Sequence, residues 1–215
     1  MVMIECRNTN ADTVFVVDFE TTGMSPDHGD RAIEVGAVKL EKGEVVDRFQ
    51  CLMNPGIWIN GFIEDFTGIT NAMLKKAPPC GEVMGEFADF IGDGNLVAHN
   101  ASFDRRFLDA ECCRISRNYE GEFACSMLAA RRVYPDAPNH KLGTLVEFNH
   151  LPNDGTFHRA LADAAMTAHL WLGMLNDIRR GYRIESISFS LMQALSRVSK
   201  AAAPAFLSRR TGPLC

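Results

Sequence analysis

Five side chains in three short segments carry the chemistry this chain could do. VFVVDFETTG holds Asp18 and Glu20, HNASFD holds Asp104, and HRALAD holds His158 and Asp163. Asp18 and Glu20 are two apart in an apolar run, and the period of a strand points both carboxylates the same way. Like charges held together raise each other's pKa, and burying them unpaired is costly. A divalent cation between them relieves both problems. Mg2+ and Mn2+ favour oxygen ligands and need neither Cys nor His. Four carboxylates suit two such ions, and a two-ion site cleaves phosphodiesters. His158 sits where an imidazole, with an ordinary pKa of about 6.5, can take a proton from water.

Each residue taken singly has a plainer reading. Asp18 and Glu20 could be surface acids at a strand end. Asp104 could be an acid favoured at a helix start by the dipole. His158 is one of six histidines. The joint pattern is what points to catalysis.

The elements that must position these residues follow from periodicity. Residues 13–19 (TVFVVDF) are β-branched and aromatic, a buried strand. Residues 31–41 and 44–53 flank Lys42-Gly43 and form a hairpin. Residues 78–93 have apolar positions at helical spacing, and residues 95–99 form a fourth strand whose end precedes Asp104. Strand ends of this kind are where open α/β sheets place their sites. Helices are predicted at 102–115, 126–134, 141–150 and 159–180, with a short fifth strand at 123–125. Three strands followed by alternating strands and helices predict an α/β fold with a mixed sheet flanked by helices. The compact domain is placed at residues 10–180. Residues 181–215 form an appended amphipathic helix and basic tail, with Ile184, Ile187, Leu191, Leu195 and Val198 on one stripe. That stripe packs on its own domain or serves self-association or a partner.

At 215 residues, 47% hydrophobic and 23% charged, the chain can bury a full core. No apolar run is long enough for a membrane span, and the first residues lack a signal-peptide pattern. Seven cysteines without a CxxC pair argue against a disulfide framework and for a reducing compartment, the cytoplasm. The net charge of −5 is unevenly spread: residues 1–178 hold 15 basic and 26 acidic side chains, residues 179–215 hold 7 and 1. The basic tail suits a phosphate backbone or an acidic partner, or is simply solvated.

The chain resembles the DEDDh 3′–5′ exonucleases, a family that includes the proofreading subunit of bacterial replicative DNA polymerase. DFETTG, AHNASFD and HRALAD carry the likeness, supported by RAIEVGAV, NPGIWINGFIEDFTGIT and KLGTLVEF, over about residues 13–175. The resemblance implies a ribonuclease H-like fold, a five-stranded sheet whose first three strands are antiparallel. It implies two ions, Mg2+ or Mn2+: Asp18 bridging both, Glu20 and Asp163 completing the first, Asp104 holding the second. It makes His158 the general base, and the product a nucleoside 5′-monophosphate. Substrate contacts are implied at Thr21, Thr22, Gly23, Thr67, His99, Asn100 and Phe103, although Phe103 could equally be core. Thr67 stands where the proofreading subunit has histidine, which disfavours that identity and leaves the catalysis untouched. The implied partner is a single-stranded 3′ end, with little sequence readout, and a polymerase subunit is a further candidate. Arg105, Arg106, Arg131, Arg132 and Lys141 are candidates for phosphate contacts, the His140-Lys141 pair the best of them, with plain solvation of a helix face as the alternative for most. A catalytically silent binding module and a metal-dependent nuclease of other polarity remain as alternatives.

Overall fold

The structure, a computed structural model, describes residues 9–152 and 158–210. The expectations for the extreme N-terminus, and for the tail past residue 210, fall outside those residues.

Strands β1 (Val14–Thr21), β2 (Ala32–Glu41), β3 (Glu44–Leu52), β4 (Leu96–Ala98) and β5 (Phe123–Cys125) form one sheet in the order β3-β2-β1-β4-β5. β1–β2 and β2–β3 are antiparallel, whereas β1–β4 and β4–β5 are parallel. This is the mixed five-stranded sheet expected from the sequence. Lys42 and Gly43 both have positive φ, 54° and 85°, the backbone a two-residue hairpin turn needs.

Alternation along β1 splits the core. Val14 and Val16 enter one apolar cluster, and Phe15, Val17 and Phe19 enter another across the sheet. Helices α3 (Cys80–Ile91) and α4 (Ser102–Arg114) pack in the second cluster. On the first face lie α5 (Ser126–Val133), α6 (Leu142–Phe148) and α7 (Ala160–Tyr182). Trp171 of α7 is fully buried there, its indole N–H donating to the Ala11 carbonyl at 2.7 Å. Short helices α1 (Gly61–Thr67) and α2 (Asn71–Leu74), which periodicity does not predict, start at Asn60 and Thr70. Each of those two side chains caps its helix by accepting a backbone N–H, from Ile63 at 3.0 Å and from Met73 at 3.2 Å.

The C-terminal helix is shorter than its apolar stripe. The structure starts α8 (Phe189–Arg197) at Ser188, whose side chain caps the Leu191 N–H at 3.1 Å. The residues before it are not helical and pair with the start of the described chain instead: Ala11 N donates to Ile187 O and Phe189 N to Thr9 O, both at 2.8 Å. Ile187, Leu191, Met192 and Leu195 are buried in the first cluster, so this stripe is covered by its own chain. A last helix, α9 (Ala203–Ser208), also contributes Ala203 and Leu207 to that cluster. No helix among the described residues is long and apolar enough to cross a membrane. Cys51, Cys80, Cys112, Cys113 and Cys125 are free.

Candidate active site

Because Val14 and Val16 face α7, so do Asp18 and Glu20, two and four residues beyond Val16 on the same face of β1. Asp163 comes from the first turn of α7. One carboxylate oxygen from each of Asp18, Glu20 and Asp163 lies within 4.8 Å of the others. Asp104, in the first turn of α4, reaches the same strand end, where its Oδ1 accepts the Phe19 N–H at 3.2 Å. All four carboxylates are thus gathered at the C-terminal ends of the parallel strands β1 and β4, the ordinary place for a site in such sheets.

The approach of α7 depends on two residues outside the three segments that carry the acids. Gly36 pairs with Asp18 across the ladder. A Cβ at Gly36 would lie 2.2 Å from Leu161 N and 2.3 Å from the Ala160 carbonyl carbon, so only glycine lets α7 sit down on β2. Glu34, fully buried, then clamps the start of α7. Arg159 Nε and Nη2 donate to its two oxygens at 3.1 and 2.8 Å, and Ala160 N donates at 3.1 Å. A glutamate inside RAIEVGAV, a strand buried on both faces, is the readable signal, since such acids are almost never fully buried without a partner.

The electrostatics of the four acids are those of an unneutralised cluster. Burial, then Asp104, Glu20 and Asp163, hold the Asp18 carboxyl well above its usual range. Burial and the charge of Asp163 push Glu20 up to about 8. Burial pushes Asp104 up to about 7, against the opposing Phe19 N–H. Asp163 is raised by burial, partly countered by the His158 N–H, which donates to its Oδ2 at 2.9 Å. Among the described residues, no lysine or arginine forms an ion pair with any of the four. Hard oxygens, mutual repulsion and a shared point in space fit a divalent cation.

His158 itself is exposed and has φ of 61°, a left-handed backbone uncommon outside glycine. Its ring lies 3.9 Å from that of Phe66, and Phe66 stacks on Phe62 at 5.8 Å with planes 11° apart. Phe62 is 72% exposed and Phe66 47%. This aromatic row is invisible to periodicity, because α1 itself is.

The remaining substrate candidates divide. Thr21 Oγ1 donates to Gly23 O at 2.7 Å, and Thr22 Oγ1 donates to Asp30 Oδ1 at 3.2 Å while accepting from Arg31 N. Their hydroxyls shape the loop after β1. Thr67 is buried, its hydroxyl bonded to Ile63 O and Ile69 N. Both ring nitrogens of His99 are taken, by Ser126 Oγ and His140 O. Asn100 is exposed with φ of 72°, and Phe103 packs its ring on Phe107.

Comparison with known proteins bears on the fold and the family. The "DNA polymerase III PolC-type" of Caldanaerobacter subterraneus subsp. tengcongensis is 38% identical over 173 residues, 80% of this chain and 12% of that protein. The chain therefore spans about an eighth of the length of that relative. Exonuclease X, solved in complex with 5′ overhanging duplex DNA, superposes with a TM-score of 0.66 at 26% identity, over 85% of this chain and 98% of that one. The nuclease domain of 3′hExo, a DEDDh family member bound to rAMP, gives 0.67 at 24% identity over 77% and 92%, a likeness of fold. The exonuclease family model of the RNase T type matches residues 15–171. That stretch runs from β1 into α7 and contains all four gathered carboxylates and His158, and the chain belongs to the exonuclease family.

Proposed function

We propose that this chain is a metal-dependent 3′–5′ exonuclease that removes nucleoside 5′-monophosphates from single-stranded DNA. The observation that carries the reading is the convergence of Asp18, Glu20 and Asp163 within 4.8 Å, with Asp104 at the same strand end. These four would hold two ions, Mg2+ or Mn2+. Such ions, when bound, lower the pKa of a water and stabilise the leaving 3′-oxygen.

The protein's own residues supply the rest. Glu34 and Arg159 fix the start of α7, and so the position of Asp163. The His158 N–H orients the Asp163 carboxylate, while its imidazole, on the solvent side, takes the proton of the attacking water. Phe62 and Phe66 offer faces on which unpaired bases stack, a mode that tolerates any sequence. The backbone of Thr21, Thr22 and Gly23, and Asn100 at the end of β4, border the terminal nucleotide. We assign the catalytic unit to residues 10–180 and treat 181–215 as an appended segment, packed on it as far as residue 210. DNA is chosen over RNA, and a DNA polymerase as the partner, because the matched stretch of the PolC-type relative belongs to a much longer DNA polymerase. Free thiols suit the cytoplasm.

The test is a single strand labelled at one end or the other, incubated with Mg2+, beside matched RNA. Label at the 3′ end should leave as mononucleotide, and 5′-labelled strands should shorten stepwise. Binding without release would make the chain a silent module; release from the 5′ end would reverse the polarity. His158→Ala should lower kcat about 10²-fold while strand binding in chelator persists.

A further inference from the structure

A second feature lies at the end of β4, and its cations play no part in the chemistry above. A cleft of about 620 Å3 is bordered by Asn100, Met127, Arg131, Asn139, His140 and Lys141. That volume lies within the range of ligand clefts, roughly 300–1,000 Å3. We propose that this cleft binds the phosphodiester backbone of the strand upstream of the bond being cut, with Arg131 and Lys141 holding the phosphates. The proposal rests on the exonuclease reading for the direction of the strand.

Four observations carry it. Asn100, which borders the cleft, is tied to the start of α4: its carbonyl accepts the Phe103 N–H at 2.9 Å, one residue before Asp104. Among the described residues none that lines it is acidic, in a chain of net charge −5. Its two cations are uncommitted among the described residues: Lys141 is exposed and forms no ion pair, and the Arg131 guanidinium has only the Met127 thioether, at 3.8 Å. The other arginines of the vicinity are occupied. Arg132 donates twice to Val198 O, Arg106 donates to Ser102 O and Met24 O, and Arg105 pairs with Asp109.

The wall that carries Lys141 is also held in place. His99 Nε2 donates to His140 O at 3.0 Å, the His140 ring bonds Tyr134 O, and Lys141 N donates to Asn139 Oδ1 at 2.9 Å. Burial holds the His99 imidazole down to about 4, so this tie is made by a neutral ring. His99 is thus a positioning residue for the cleft. An ammonium on a fixed wall and a guanidinium lining the same cleft suit the phosphates of a single strand.

The experiment measures equilibrium binding of fluorescent hexathymidylate and dithymidylate, with chelator present so that nothing is cut, and kcat/KM for both with Mg2+. Arg131→Ala/Lys141→Ala should weaken hexathymidylate binding about tenfold, since it removes two solvent-exposed ion pairs with phosphate, and affect dithymidylate far less. The slope of log affinity against log salt should fall by about 0.7 for each phosphate that the variant no longer neutralises. Lys42→Asn, in the β2–β3 turn, should change neither. Unchanged hexathymidylate affinity in the double variant, or an equal weakening for both lengths, overturns the cleft as a backbone site. Wild-type protein that binds in this length-dependent manner but never cleaves overturns the exonuclease reading and leaves the cleft standing.

Discussion

Glu34 and Glu20 face each other across the β1–β2 ladder, both buried, and the protein treats them in opposite ways. Glu34 receives both arms of Arg159, the Gln50 amide and the Ala160 N–H. Burial raises its pKa, yet these donors more than offset that and hold it below the ordinary carboxylate value. Glu111, also buried, is matched by a bidentate Arg31 at 2.8 and 2.9 Å. Among the described residues Glu20, with Asp18, Asp104 and Asp163, has no ion-paired cation, and burial and repulsion, only partly countered by the nearby Arg159 charge, push it up to about 8. Acids that hold elements together are neutralised by the chain itself. Acids that converge without a partner fit the proposed recruitment of divalent ions, and on that proposal the contrast separates structural buried acids from catalytic ones.

The sharpest way to break the comparison is to remove one acid from each set. Asp18→Asn should cost at least about 10³-fold in turnover, since the ions' contribution is several kcal/mol and each 1.36 kcal/mol is about tenfold. The same variant should melt no lower than the parent in chelator, because a repulsive charge has been deleted. A parent-like rate would remove the cage from the mechanism. Glu34→Gln should do the reverse: Arg159 loses its partner, and unfolding free energy should fall by about 2–3 kcal/mol. That is less than the roughly 3–5 kcal/mol of a fully buried pair, because Arg159 is 36% exposed. Denaturant titration reads this directly, and an unaltered midpoint would show that the clamp contributes nothing.

Between these extremes lies Gly36→Ala, which touches neither set of charges. Backbone at 2.2 Å from the added methyl must move, carrying Asp163 with it. Misplacement of about 1 Å can cost about 10²-fold, so kcat should fall to that extent with the four acids intact. Full activity would mean that α7 tolerates displacement and that the cage is less exacting than its geometry suggests.

How far the sequence discloses all this depends on range. Asp18 and Glu20 are legible because a strand's period is local, and Phe123–Cys125 comes out at its observed bounds. Asp104 and Asp163 need three segments to be read jointly, since no local rule brings them to β1. The stripe from Ile184 to Val198 misleads because the residues before α8 happen to continue its spacing, while Ser188 marks the true start. Helices of seven and four residues, α1 and α2, give too few turns for periodicity to register. Gly36 and Arg159 are illegible as site residues because their importance lies wholly in what packs against them.

The two sets also separate by pH, with a smaller effect. Glu20 and Asp104 have folded values of about 8 and 7, far above the roughly 4 of an unfolded carboxylate. In that window the native state binds more protons than the unfolded chain, so stability falls as pH rises. Without metal, the melting temperature should therefore drop between about pH 5 and pH 8. A divalent cation favours the deprotonated acids and opposes that loss, so the gain from Mg2+ should widen over the same range. Each kcal/mol corresponds to about 2–4 °C for a chain of this size. Glu34 has the opposite sign: its folded value is depressed, so its contribution is present at neutral pH and is lost only in strong acid, below the ordinary carboxylate range. Thermal melts in chelator and in Mg2+ from pH 4 to pH 9 resolve the two. A metal-free curve that is flat between pH 5 and pH 8 would mean that the four acids are neutralised within the protein after all, and the contrast with Glu34 would vanish.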